Sequence, residues 1–252
     1  MWLWPKSGSW LLLTEAGVAA SFGGNAYLRG LIPSGTSRPS SPFFKRFLQA
    51  QLLYGFIVYV GLWLGHLLGL GSPFLDAWLT RTPSPLSPLL LVISAGLGIA
   101  CALVTLALDL SLFTTARLQL KSAKIRMPAL LVRLGALLHG AISEELLLRL
   151  FALTVVAAFI EVLCFGHLKI IATWSAIIVS SLLFAVGHLP ATARVVPLSK
   201  PLVMRCLTLN GFGGLVFGTV YCSWGIECAI ATHAGAGLAI QFIFPFLSQK
   251  SP

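Results

Sequence analysis

Glu144-Glu145-Leu146-Leu147-Leu148-Arg149 sets two adjacent carboxylates and a guanidinium inside a stretch otherwise apolar enough to cross a membrane. Each ionised side chain at that depth costs roughly 2.5–3.5 kcal/mol on insertion scales, so three together mark either a self-neutralising cluster or a wet functional site. Residues four apart share a helix face, so Glu145 can reach Arg149, whereas Glu144 is rotated about 100° away. One carboxylate is then neutralised locally and one is left free. A free carboxylate in a low-dielectric site is suited to taking a proton from water and returning it to a leaving amine. The bland alternative is a salt-bridged structural kink.

Two histidines weigh against the kink. Phe184 and His188 lie four apart on one face near the end of an apolar span, and His233 sits early in a later span, in His233-Ala234-Gly235-Ala236-Gly237. Either histidine alone reads as helix packing; both, with a spare carboxylate, can position a water. Glu144, His188 and His233 are also a donor set that can bind Zn²⁺ with a position open for water, although HExxH is absent and the ligands would come from three helices. His139, five residues before Glu144, can tune it or be structural, and His66 and His167 read as structural or interfacial. Glu227, beside Trp224, reads as an interfacial turn residue; Asp109 either pairs with a neighbouring helix or snorkels. Five cysteines, Cys101, Cys164, Cys206, Cys222 and Cys228, form no CxxC pair and read as free thiols, a Cys222–Cys228 bridge being the minor alternative.

The elements that must carry these residues are membrane helices. The chain has 252 residues, 57% hydrophobic and only 10% charged, with a mean hydropathy of +0.92. That composition excludes an ordinary soluble domain, and the apolar residues gather in runs too long for core helices. The formal charge of +10 needs no nucleic acid, because the 17 Lys and Arg residues lie almost entirely between the runs. Seven spans are expected, at 10–28, 47–70, 86–113, 134–160, 168–188, 206–222 and 228–247, the first weakened by Glu15, Asn25 and several glycines. Basic and neutral linkers alternate, which by the positive-inside rule puts the C-terminus in the cytoplasm and, with seven spans, the N-terminus outside. Segments 31–42 and 80–88 read as loops, and Glu15 makes the N-terminus a poor cleaved signal. The expected fold is an all-α polytopic bundle of about seven to eight transmembrane helices, one integral membrane domain over 1–252.

The order EExxxR, then FxxxH, then a third helix opening with His resembles the CPBP family, named for CAAX proteases and bacteriocin-processing enzymes, which includes the CAAX prenyl endopeptidases and the Abi proteins. The likeness covers about residues 130–247, and Gly213 to Glu227 resembles the family's glycine-rich helix and short turn before the last histidine. It implies an intramembrane endopeptidase cutting a membrane-embedded or lipidated substrate with glutamate-activated water. Glu144 would be the general base, His188 its partner in holding the water, and His233 the group facing the scissile carbonyl oxygen, with Glu145, Arg149 and Phe184 in support. The departure is Gly237, where the family usually shows Asn or another polar residue. Losing that donor typically costs ~3 kcal/mol of oxyanion stabilisation, unless Asn210 or a backbone N–H freed by Gly235 and Gly237 substitutes.

The resemblance requires no cofactor and leaves Zn²⁺ open. It implies as partners a peptide or prenylated-protein substrate in the membrane, lipid, and a membrane-protein partner in the alternative reading, a non-proteolytic scaffold or immunity protein. A proton relay or small transporter is a third reading, against which no repeated half is found. The expected location is a bacterial cell membrane, or else a thylakoid or organellar one. Straight helices of these limits do not bring Glu144, His188 and His233 together. Either the fifth span runs past Pro190 toward Arg194, or the seventh starts deeper after a re-entrant turn near Trp224.

Overall fold

The computed structural model describes residues 7–31, 42–122, 129–167 and 169–243. Among these there are nine helices and no strand: α1 Ser7–Leu31, α2 Phe43–Leu68, α3 Pro73–Thr80, α4 Leu89–Leu112, α5 Thr114–Ser122, α6 Leu130–Leu163, α7 Lys169–Val195, α8 Lys200–Trp224 and α9 Ile226–Ile243. Helices α2, α4, α6, α7, α8 and α9 are long and apolar enough to cross a membrane, and the chain is a multi-pass membrane protein. The seventh long helix, α1, is less apolar and is tied to α2 by polar contacts: the Trp10 indole donates to Gly55 O at 2.9 Å, and Gln51 donates to Glu15 at 2.8 Å.

Two short helices occupy segments expected to be linkers. Helix α3 has Pro73 in its first turn, where the missing N–H costs nothing, and its first-turn N–H at Leu75 donates to Glu227 Oε1 at 2.8 Å. The carboxylate expected at an interfacial turn is thus the cap of a helix. Helix α5 carries Arg117 and Lys121. Both are too short to leave an apolar run. The expected loop at 31–42 falls largely outside the described residues.

The tension over helix length is relieved at both ends. Helix α7 runs past Pro190 to Val195, interrupted by a turn at His188, and α9 starts directly after Gly225. Gly225 has φ +87°, a left-handed conformation natural to glycine, and it reverses the chain in a single residue. This turn is buried: the Ile226 N–H donates to Gly71 O at 2.9 Å, and an added Cβ at Gly225 would overlap Pro73 of α3. His233 therefore sits two turns into α9, in the interior.

At one crossing, two glycines let backbones touch. A Cβ at Gly98 of α4 would lie 1.8 Å from Thr232 O of α9, and a Cβ at Gly235 of α9 would lie 2.1 Å from Ala95 O of α4. Without a hydrophobic drive between helices in lipid, such close approach is what holds α9 against α4. The main core lies on the other side of α6, where Leu146, Leu150 and Leu153 pack with Val58, Ile177, Tyr221 and Ile226.

Gly98→Ala is expected to force α4 and α9 apart at a cost of about 2–3 kcal/mol, the usual range for overpacking. Gly96→Ala, at a position with open space around the added methyl, is the control and should be neutral. Thermal unfolding in detergent reads the difference.

Candidate active site

The site is built around a break in helix regularity. Between His139 and Leu153, α6 is largely hydrogen-bonded i→i+5, with wide turns at His139–Glu144 and Leu146–Leu153. Such turns are rare and concentrate at functional sites. Side-chain donors attach to carbonyls of the widened stretch: Ser180 of α7 to Leu148 O at 2.8 Å, and Thr154 to Arg149 O at 3.2 Å.

Glu145 is fully buried, and its Oε1 takes two partners. Arg149 Nη1 lies 3.1 Å away, four residues along the helix, and His233 Nδ1 lies 2.8 Å away from α9. Arg149, also at 0% exposure, donates through Nη2 to Gly214 O of α8 at 3.2 Å. Its guanidinium lies over the rings of Phe184 and Phe217, at 4.6 and 5.4 Å. The Phe217 ring stacks on His233 at 4.5 Å, and Phe184 meets His188 at 4.6 Å. A carboxylate can only accept, so His233 donates its Nδ1–H to Glu145 and turns Nε2 toward the cavity, beside Gly140.

Glu144 is left without a cation of its own, and its side chain keeps 25% exposure. His188 Nε2 lies 4.0 Å from Oε2, and His139 Nε2 lies 3.9 Å from Oε1. Since Phe184 O can only accept, His188 donates Nδ1–H to it at 2.8 Å, which directs Nε2 at the carboxylate. Distances of this size suit a shared water, and hydrogen bonds at empty catalytic sites are commonly long.

These groups open into one cavity of about 910 Å³, lined by His139, Glu144, His188 and His233 and mostly apolar elsewhere. Asn210 and Gly237 also line it. The Asn210 amide nitrogen donates to Cys206 O at 2.8 Å and, more weakly, to Cys206 Sγ at 3.5 Å. The Gly235 and Gly237 backbone offers no freed donor, because both lie inside the helical run of α9. A Cβ at Gly237 would meet only Leu137, at an ordinary 3.5 Å. Toward α8 the cavity reaches Asp109, which neither snorkels nor stays single: Arg205 grips it with Nε to Oδ1 at 2.7 Å and Nη2 to Oδ2 at 2.8 Å.

Among the described residues no group of three His, Cys, Asp or Glu is arranged to hold a metal ion. The expected Zn²⁺ set Glu144, His188 and His233 is not among such groups, although His233, with Nδ1 on Glu145, keeps Nε2 free toward the cavity. All five cysteines are free, which removes the Cys222–Cys228 bridge.

Residues 126–239 match the family model described as type II CAAX prenyl endopeptidase, Rce1-like. That segment, a little under half of the chain, is similar to the CAAX protease family. It is Rce1-like from just before α6 to the start of the last turns of α9, and so contains the whole Glu–His–Arg cluster. The likeness supports, at the family level, a CAAX-protease-like intramembrane endopeptidase. No curated protein and no solved structure matches the chain.

Of the residues singled out in the sequence, Glu144, Phe184, His188, Asn210, His233 and Gly237 line one cavity, Glu145 and Arg149 are buried behind it, and His66 and His167 do not line it. One member escaped sequence reasoning, Phe217, which looks like any apolar residue of a span; His139 was expected either to tune Glu144 or to be structural, since its spacing points it away from Glu144 on a regular helix. Glu145→Gln is expected to cost about 3–5 kcal/mol, the usual loss when one partner of a buried ion pair is removed, and to loosen His233 as well. Unfolding in detergent should show the first effect, and a fall in turnover beyond the loss of folded protein the second.

Proposed function

We propose that this protein hydrolyses a peptide bond of a membrane-embedded or lipidated substrate with water activated by Glu144. The observation that carries this reading is the division of labour between adjacent carboxylates, Glu145 sealed against Arg149 and His233 while Glu144 faces the cavity between two imidazoles. Water held between Glu144 and His188 attacks the scissile carbonyl carbon and gives its proton to Glu144. When the C–N bond breaks, Glu144 passes that proton to the leaving amine and the other proton of the water stays on the new carboxyl group, so the products are a carboxylic acid and an amine. His233, as the doubly protonated imidazolium held through Nδ1–H on Glu145, donates Nε2–H to the developing oxyanion, and Asn210 turns its N–H from the weak contact with Cys206 Sγ to add a second donor. The apolar lining of the cavity suits an apolar peptide segment with its lipid or membrane anchor.

Glu144→Gln should abolish cleavage of a fluorogenic membrane peptide while the protein stays folded, since Glu144 has no part in the Arg149 pairing. Cleavage surviving in that variant would remove the mechanism.

Gly237 keeps a scaffold reading in play. Because an added side chain at 237 has room beside Leu137, Gly237→Asn should raise turnover by about tenfold, toward the ~10²-fold that one oxyanion donor typically supplies. A scaffold would show no cleavage from wild type or variant, and would hold its membrane partner through both Gly237→Asn and Glu144→Gln.

A further inference from the structure

We propose that His139 is a positioning residue for Glu144, holding one carboxylate oxygen so that the other stays aligned with His188 and its water. The inference rests on the reading of Glu144 as the base. Each oxygen of that carboxylate has an imidazole of its own, His139 Nε2 at 3.9 Å from Oε1 and His188 Nε2 at 4.0 Å from Oε2. On a regular α-helix, residues five apart diverge by about 140°, and His139 would face away. The turn His139–Glu144 is hydrogen-bonded i→i+5, which stacks residues five apart on the same side. The widened turn thus brings together the two residues that the inference joins.

His139 is not filling a packing hole. Its side chain is 32% exposed and lines the same cavity as Glu144. Around the pair stand His188 from α7, His233 from α9 and Tyr54 from α2, but the close approach to Oε1 is made by His139. A glutamate carboxylate turns freely about its last torsion, where the energy wells are broad and roughly two-fold. A partner on one oxygen alone leaves that rotation open. Partners on both fix the carboxylate plane, and with it the lone pair that receives the proton of water; at these separations the link to His139 is a tightening hydrogen bond or a single bridging water.

The test compares His139→Leu, which keeps the volume, with His139→Gln, whose amide reaches the former place of Nε2. Leu is expected to lower kcat about tenfold or more, as small misplacements of catalytic groups do, with KM and the thermal midpoint little changed, and Gln to recover most of the loss. A space-filling residue on an apolar helix gives the opposite order, Leu above Gln, with the midpoint following activity, and that order overturns the inference. If His139→Leu does not accumulate, His139→Asn takes its place: Asn cannot reach Oε1, so equal activity of Asn and Gln is equally fatal. Wild type and Glu144→Gln run alongside. Cleavage surviving in Glu144→Gln removes the base and the role of His139 with it, whereas an inert Glu144→Gln beside a fully active His139→Leu removes the role of His139 alone.

Discussion

A buried carboxylate with two cationic or hydrogen-bonding partners governs this structure. Glu145 cannot be solvated where it lies, and the low dielectric that makes its burial costly also makes its attraction to Arg149 strong. Arg149 is made tolerable in turn by the Gly214 carbonyl and by two phenyl faces, whose quadrupoles replace part of its lost hydration. Those partners come from α7, α8 and α9. Satisfying one carboxylate on α6 therefore fixes the rotation and depth of three other helices, and the site is a by-product of that satisfaction.

The same cluster separates two chemically identical neighbours. Glu144 and Glu145 are consecutive, yet one is sealed and the other faces a cavity, because helix geometry turns them about 100° apart and only one of those directions meets Arg149. Phe184 and Phe217 keep the two compartments apart, each touching the guanidinium on one side and an imidazole on the other. A second ion pair, Asp109 with Arg205, joins α4 to α8 at the cavity wall. Its bidentate geometry explains how two more charges persist in such an apolar chain.

What was legible in the sequence follows from the range of the interactions. The pairing of Glu145 with Arg149 is local, a consequence of four-residue spacing, and so is the placement of Phe184 over His188. The membrane spans come from composition, which is why six of them appear within a few residues of their expected limits, the main extension being the run of α7 to Val195. The bond from His233 to Glu145 crosses 88 positions, and no local rule anticipates it. His139 was legible only as a residue that either tunes Glu144 or is structural, because its geometry depends on a wide turn and regular helix periodicity assumes there is none. Helices α3 and α5 were hidden by being short. The glycines of the last helix were legible as a pair but not by role: Gly235 is the one that a neighbouring backbone crowds, whereas Gly237 has space beside it.

The buried turn at Gly225 bears on how the protein is made. The Gly71 carbonyl and Pro73 that receive it, and the α4 backbone that α9 lies against, belong to segments synthesised more than a hundred residues earlier. With N-terminal parts folding first during synthesis, the slot for the last helix is in place before that helix leaves the ribosome. His233 is the final member of the cluster to arrive. The cluster is thus incomplete throughout insertion, and it is assembled only when this helix seats against α4 and α6.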